Sequence, residues 1–146
     1  MTTTPSRVFG SAPSGAVCLK RSAAYAVIKD TLGRVAAVDT PVAGEIKYWL
    51  PGGGMHAGET PEETVVREVR EEVGRAVRLR GPLGEAIQFF YAGDEARWYE
   101  MTATFLRAEF DGDLGEHAEH ELRWIDANRQ GNMFFHACHA WASALA

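Results

Sequence analysis

Residues 53–74 read Gly-Gly-Met-His-Ala-Gly-Glu-Thr-Pro-Glu-Glu-Thr-Val-Val-Arg-Glu-Val-Arg-Glu-Glu-Val-Gly, and this stretch decides how the chain is read. Its second half carries the local signals of a helix. Thr60 is a good N-cap and Pro61 suits the first helical position. Glu63, three residues after the cap, completes a capping box. Val65, Val66, Val69 and Val73 form the apolar side, and Gly74 stands where a left-handed C-cap ends a helix. Glu68, Glu71 and Glu72 are spaced i, i+3 and i+4, so at about 100° per residue they lie within roughly 60° of one another. Like charges that close repel unless a cation lies among them. Hard carboxylate oxygens on a rigid element suit Mg²⁺, with Mn²⁺ as a substitute. Three glutamates alone, however, also read as an ordinary solvated acidic face.

The residues before the helix narrow the reading. Pro51-Gly52-Gly53-Gly54 is a tight turn without side chains, where the backbone can approach a phosphate or offer a carbonyl to a metal. It is not a P-loop, because Gly58 is followed by Glu59 where that motif requires Lys, and no GxGxxG fingerprint opens the helix.

Taken together, these residues resemble the Nudix box, G-x5-E-x7-R-E-U-x-E-E-x-G-U, where U is a large aliphatic residue. Gly53, Glu59, Arg67-Glu68-Val69, Glu71-Glu72 and Gly74 fall on its positions. Arg75 departs from it, standing where an aliphatic residue is expected. The flanks, Trp49-Leu50-Pro51-Gly52-Gly53 and Glu121-Leu122-Arg123-Trp124, are also similar to the family, so the likeness runs from Ala16 onward.

The resemblance implies an α/β (α+β) fold, a mixed β-sheet sandwiched between α-helices with a loop–helix–loop catalytic motif. It implies hydrolysis of a nucleoside diphosphate linked to a further group. Glu68 and Glu72 would be the principal metal ligands, with Glu71 sharing a further ion and the Gly52 carbonyl completing one shell. Arg67 would pair with Glu59 and so orient the carboxylates, the supporting role that metal sites require. The family often draws a general base from the loop before the last strand, which here offers Glu116, Glu119 and Glu121. Glu119 is the first choice, counted also among the metal ligands, and Glu71 stands in if all three are solvated. Trp49, Tyr91 and Phe135 are candidates for stacking on a base.

Nucleoside triphosphates, oxidised forms included, lead as substrates, with dinucleoside polyphosphates as the enzyme alternative. A non-catalytic nucleotide sensor is the alternative from another class. The proline of ADP-ribose hydrolases is missing, since Phe90-Tyr91 occupies its place, and Tyr91 favours the dinucleotide alternative.

The remaining sequence bounds these expectations. A chain of 146 residues is one domain in size, and its net charge of −5 argues against a duplex nucleic-acid partner. Two cysteines, Cys18 and Cys138, neither staple a fold nor build a zinc site. Residues 1–14 read as a loose polar arm and 15–146 as the hydrolase domain. No apolar run suggests a secretory signal or a membrane span, so the cytosol is the default location. Dimers are common in the resembling family. Strands are expected at 14–19, 23–29, 34–39, 48–50, 76–79, 85–91, 98–107 and 122–125, with a final helix over 132–145. His136-Ala137-Cys138-His139 on such a helix would point its imidazoles apart and carry no metal.

Overall fold

The computed structural model describes residues 7–115 and 117–146. The chain begins with β1 (Arg7–Phe9) and, after a loop, the ten-residue strand β2 (Cys18–Val27). They are followed by β3 (Val35–Val42), β4 (Glu45–Trp49), β5 (Gly52–Gly54), helix α1 (Pro61–Val73), β6 (Arg75–Ala92), β7 (Arg97–Asp113) and β8 (Arg123–Ile125). The chain ends in α2 (Ala127–Gln130), a 3₁₀ turn at Gly131–Met133 and α3 (Ala137–Leu145).

β2 is the element on which the site is built. Ala23, Tyr25 and Val27 face one apolar cluster, with Phe105, Met101 and Cys138. Ala24, Ala26 and Ile28 face the other, with Val65, Val69 and Leu106. Alternation along a strand thus buries both faces of the sheet, one under α3 and one under α1. The five-stranded sheet runs β1-β6-β7-β2-β5 and is mixed: β1 lies parallel to β6, β7 parallel to β2, and the other pairs are antiparallel. A separate antiparallel sheet runs β4-β3-β8. The mixed sheet between helices agrees with the expected fold class.

Several boundaries differ from the sequence reading. Arg7–Phe9, read as part of a loose arm, pair with Ala86–Gln88 as a strand. In place of the two strands expected at 14–19 and 23–29 there is one, Cys18–Val27, with residues 14–17 outside it, because β7 pairs without interruption from Trp98 to Arg107. The segments at 76–79 and 85–91 also join, and Gly81, Pro82 and Gly84 sit at register shifts rather than ending the strand. The connection between the strands expected at 34–39 and 48–50 is shorter than that spacing implies. Ala43 and Gly44, both at positive φ, form a two-residue turn between β3 and β4. The final helix is broken, since Phe134 is extended and bridges Tyr48, whose carbonyl accepts from the Phe135 N–H.

Helix α1 keeps its expected caps. The Thr60 hydroxyl accepts from the Glu63 N–H, the Glu63 carboxylate accepts from the Thr60 N–H, and Gly74 closes the helix at φ 67°. Its buried side differs: Val66 is 45% exposed, whereas Thr64 is fully buried.

Gly52 carries the closest backbone contact. Its φ is 147°, and a Cβ there would lie 2.2 Å from the Ala24 carbonyl oxygen. We expect Gly52→Ala to destabilise the protein by about 3 kcal/mol or more in urea melts, the range of steric and backbone disruptions. Gly58, at φ 82° with open space around it, is the control, and Gly58→Ala should cost about 1 kcal/mol.

Candidate active site

Helix α1 and strand β5 bring the box residues together. The Arg67 guanidinium is the centre: Nε donates to Glu59 Oε2 at 2.7 Å and Nη2 to Glu59 Oε1 at 2.9 Å, a two-pronged pair. Nη2 also donates to the Gly54 carbonyl at 3.1 Å, and Nη1 reaches Glu68 Oε1 at 3.0 Å and Glu71 Oε2 at 3.3 Å. Glu59 receives two further donors, the His56 N–H and the Thr64 hydroxyl. The Thr64 bond explains why a threonine, not Val66, faces inward. These donors, Arg67 foremost, hold the Glu59 carboxyl well below the usual carboxylate range, and Glu59 in turn raises the Arg67 pKa.

Glu72 lies deeper. Its Oε1 accepts from the Gly52 N–H at 2.8 Å, and the residue is 9% exposed. Burial pushes its carboxyl up to about 8; the Gly52 N–H opposes the shift, and the charges of Glu68, Glu119 and Glu71 add to it. Glu68 is raised as well, first by burial, with Arg67 opposing. The Glu68 carboxylate lies against Gly53, where a Cβ would come within 2.8 Å of Oε1. Gly53 therefore leaves the space that this carboxylate fills.

The donor set fits a hard divalent cation in its chemistry: buried carboxylates of like charge, facing a strand edge without side chains. Among the described residues no three His, Cys, Asp or Glu side chains gather around one point. Arg67 holds Glu68 and Glu71, and Glu72 turns to the Gly52 amide. At Gly52 the contact shown is that N–H, on the strand register opposite Tyr25.

The loop before β8 reaches the site through its backbone. The Glu119 N–H donates to the Glu71 carbonyl at 3.1 Å and the His120 N–H to the Glu72 carbonyl at 2.8 Å. Glu119 is exposed, and its charge is felt at Glu68 and Glu72. Glu121 points elsewhere, 75% exposed and paired with Arg123 at 3.1 Å. Glu116 lies outside the described residues.

A cavity of about 780 Å³ opens beside the glycine strand, and Gly52 and Gly53 form part of its wall. Trp49, Tyr91 and Phe135 all line it. Trp49 and Phe135 stack on each other, centroids 5.1 Å apart, and Tyr91 stands at 47% exposure. Sequence reasoning missed three contributors. Arg21 lines the cavity but sits where no strand was expected. His136 lines it too, buried, and burial lowers its pKa to about 3, so it is neutral. His139 Nδ1 accepts from the Leu50 N–H at 3.0 Å and so anchors the chain just before the glycines. The two imidazoles do not diverge: their centroids are 5.2 Å apart, because His136 precedes the helix in extended conformation. Arg75, the departure from the box, lies over the Phe110 ring at 5.1 Å, so its guanidinium and stem cover the surface an aliphatic residue would.

Residues 19–134 match the NUDIX domain. The chain belongs to the Nudix family. A putative 8-oxo-dGTP diphosphatase 3 of Mycobacterium tuberculosis is 30% identical over 90 residues, covering 61% of this chain and 42% of the relative. An ADP-ribose pyrophosphatase of Methanocaldococcus jannaschii is 31% identical over 90 residues, 60% of this chain and 51% of the relative. The chain thus spans about half the length of the curated relatives it matches. Among solved structures, the MutT protein of Methanosarcina mazei superposes with a TM-score of 0.65 at 20% identity, over 87% of this chain and 92% of that one. That likeness shows the Nudix fold. Among the described residues no helix is long and apolar enough to cross a membrane.

Two outcomes follow from this geometry. Because Glu72 titrates near 8 in the folded protein and near 4.5 when unfolded, the fold binds the extra proton between those values. Stability of the Nudix protein in EDTA should therefore fall as pH rises from about 5 to 8. Thermal melts of Glu72→Gln should lack that slope, and a slope unchanged by the substitution would refute the assignment to Glu72. In a double-mutant cycle, the melting-temperature loss of Arg67→Ala with Glu59→Gln should be smaller than the sum of the single losses; additivity would mean that the pair is not coupled.

Proposed function

We propose that this chain is a metal-dependent pyrophosphohydrolase, acting on a nucleoside diphosphate linked to a further group. The leading substrates are nucleoside triphosphates, oxidised guanine forms included, cleaved to the monophosphate. One observation carries this reading. The glycine strand that forms a wall of the aromatic cavity is the same strand that Glu72 and Glu68 touch, so a nucleoside in the cavity would lay its phosphates along the carboxylates.

The chain's residues divide the work. Glu68 and Glu72, with Glu71 and Glu119 beside them and the Gly52 carbonyl in the ligand set, would hold Mg²⁺ or Mn²⁺. When bound, the cation supplies charge neutralisation at the phosphate oxygens and an acidified water. Arg67 and Glu59 keep the carboxylates in place. Glu119, tethered at its backbone to Glu71, accepts the proton of the attacking water. Trp49, Phe135 and Tyr91 offer faces and edges to the base, which sets the nucleoside end of the substrate.

Dinucleoside polyphosphates are the second reading, favoured by the exposed Tyr91 at the cavity. A ligand sensor without turnover fits less well. Burying Glu72 among like charges destabilises the free protein, and a site that only binds nucleosides has no use for that arrangement. We take residues 15–146 as the hydrolase domain. A cytosolic location, and dimerisation of the kind common in the family, belong to the same proposal.

The test is a phosphate-release screen over nucleoside triphosphates, dinucleoside polyphosphates, ADP-ribose and nucleotide sugars, with Mg²⁺, Mn²⁺ or EDTA. We expect turnover that requires the cation and that falls by at least about a hundredfold in Glu72→Gln, with circular dichroism unchanged. Glu119→Gln should lower kcat far more than KM, with Glu121→Gln close to wild type. Cation-independent turnover, or a folded Glu72→Gln variant with near-normal kcat, would sink the proposal.

A further inference from the structure

Strand β5 separates two kinds of charge. Gly53 faces the Glu68 carboxylate, and the next residue, Gly54, faces Arg21, where a Cβ would sit 2.9 Å from Nη2. The alternation of a strand thus sets an acid against one glycine and a guanidinium against the next. Arg21 reaches this place because β2 pairs antiparallel with β5, which sets Ala23 opposite Gly54 and leaves Arg21 two residues further along the same strand.

Arg21 is also the residue shared by two depressions. One is the aromatic cavity already described. The other, about 590 Å³, is lined by Gly54, Met55, His56, Glu68 and Tyr99. Arg21 therefore stands between the pocket that fits a nucleoside and the surface that carries Glu68.

No carboxylate of the described residues neutralises its charge. Among the described residues Arg21 forms no ion pair and donates no hydrogen bond; its guanidinium lies 5.8 Å from the Tyr99 ring centroid. The nearby Glu95 is engaged by the Tyr99 hydroxyl at 2.6 Å. Arg34, Arg67, Arg78, Arg80 and Arg123, by contrast, each pair with a carboxylate. A half-buried guanidinium with open donors, at the junction of a base pocket and a cation-binding face, matches the planar oxygen pairs of a phosphate.

We propose that Arg21 clamps the phosphate nearest the nucleoside, holding the substrate's diphosphate across the glycine edge between the aromatic cavity and the Glu68–Glu72 face. This rests on the proposed pyrophosphohydrolase reading. It makes Arg21 a substrate-binding residue that selects for a phosphorylated ligand over its bare nucleoside. The ring of Tyr99 supports the guanidinium from behind, and Gly54 leaves it room.

The experiment uses the full chain loaded with Ca²⁺, with methylenediphosphonate, an analogue that cannot be hydrolysed, titrated by calorimetry into wild type, Arg21→Gln and Arg21→Lys. Wild type should bind it, Arg21→Gln should bind at least about tenfold more weakly, and Arg21→Lys should fall between, because Lys keeps the charge without the fork. In parallel, KM on the best substrate of the screen should rise about tenfold in Arg21→Gln with kcat within about threefold of wild type. A structural role would instead lower the melting temperature and leave the Lys variant no better than Gln. Equal binding by wild type and Arg21→Gln, or no binding by wild type, overturns the clamp. Loss of binding in Arg21→Gln with no turnover by wild type would leave the clamp standing and reject the hydrolase reading.

Discussion

The guanidinium of Arg67 joins three parts of the site that otherwise have little reason to stay together. It grips Glu59 from the loop, Glu68 and Glu71 from its own helix, and the Gly54 carbonyl from strand β5. A lysine could not do this, since one ammonium lacks the planar fork that reaches Glu59 with two donors and leaves others for the far side. Positive charge at this point offsets the repulsion among the helix glutamates that it touches, Glu68 and Glu71. The loop from His56 to Thr60 is fastened by the same knot, because Glu59 also accepts from His56 and Thr64.

Glu72 lies outside that compensation. It is buried against β5, takes one backbone N–H, and faces three other carboxylates. Its ionised form is therefore disfavoured until positive charge arrives, which is the condition expected of a ligand that gains most from a cation. Stability and function pull against each other here, and the cost is carried by the valines beneath. Val65 and Val69, fully buried on α1, dock the helix on the face of β2 opposite Tyr25. The other face of β2 supports α3, whose His139 holds the backbone of Leu50. Both helices thus act on the same glycine strand from opposite sides of one sheet, α1 presenting the carboxylates and the segment before α3 presenting Phe135 to the cavity.

Much of this was legible in the sequence because it is local. The Thr60–Glu63 capping box, the Gly74 stop and the shared face of Glu68, Glu71 and Glu72 follow from helix geometry, and the Arg67–Glu59 pairing from the resemblance to the Nudix box. Short-range rules work there because the partners lie within a few turns of one another. They misplace Val66 and Thr64, since a buried threonine becomes favourable only when the loop before the helix folds back and supplies Glu59 as its acceptor. They also shorten β6, because glycine and proline at 81–84 read as an end when a bulge can absorb them.

What the sequence alone determined is the acidic helix and its caps; the glycines before it, read as a tight turn, are the strand β5, because they pair with Ala23–Tyr25 of β2. What only the tertiary structure decided is which distant residues meet them. Antiparallel pairing of β2 with β5 carries Arg21 to Gly54, the break before α3 brings His136 against His139 and Phe135 against Trp49, and two backbone bonds to α1 set Glu119 beside the carboxylates while Glu121 turns to Arg123. The physical reason is separation along the chain. Helix caps and i, i+4 pairs are fixed by covalent neighbours, whereas strand register and loop docking depend on cores buried by residues far apart, which no local pattern records.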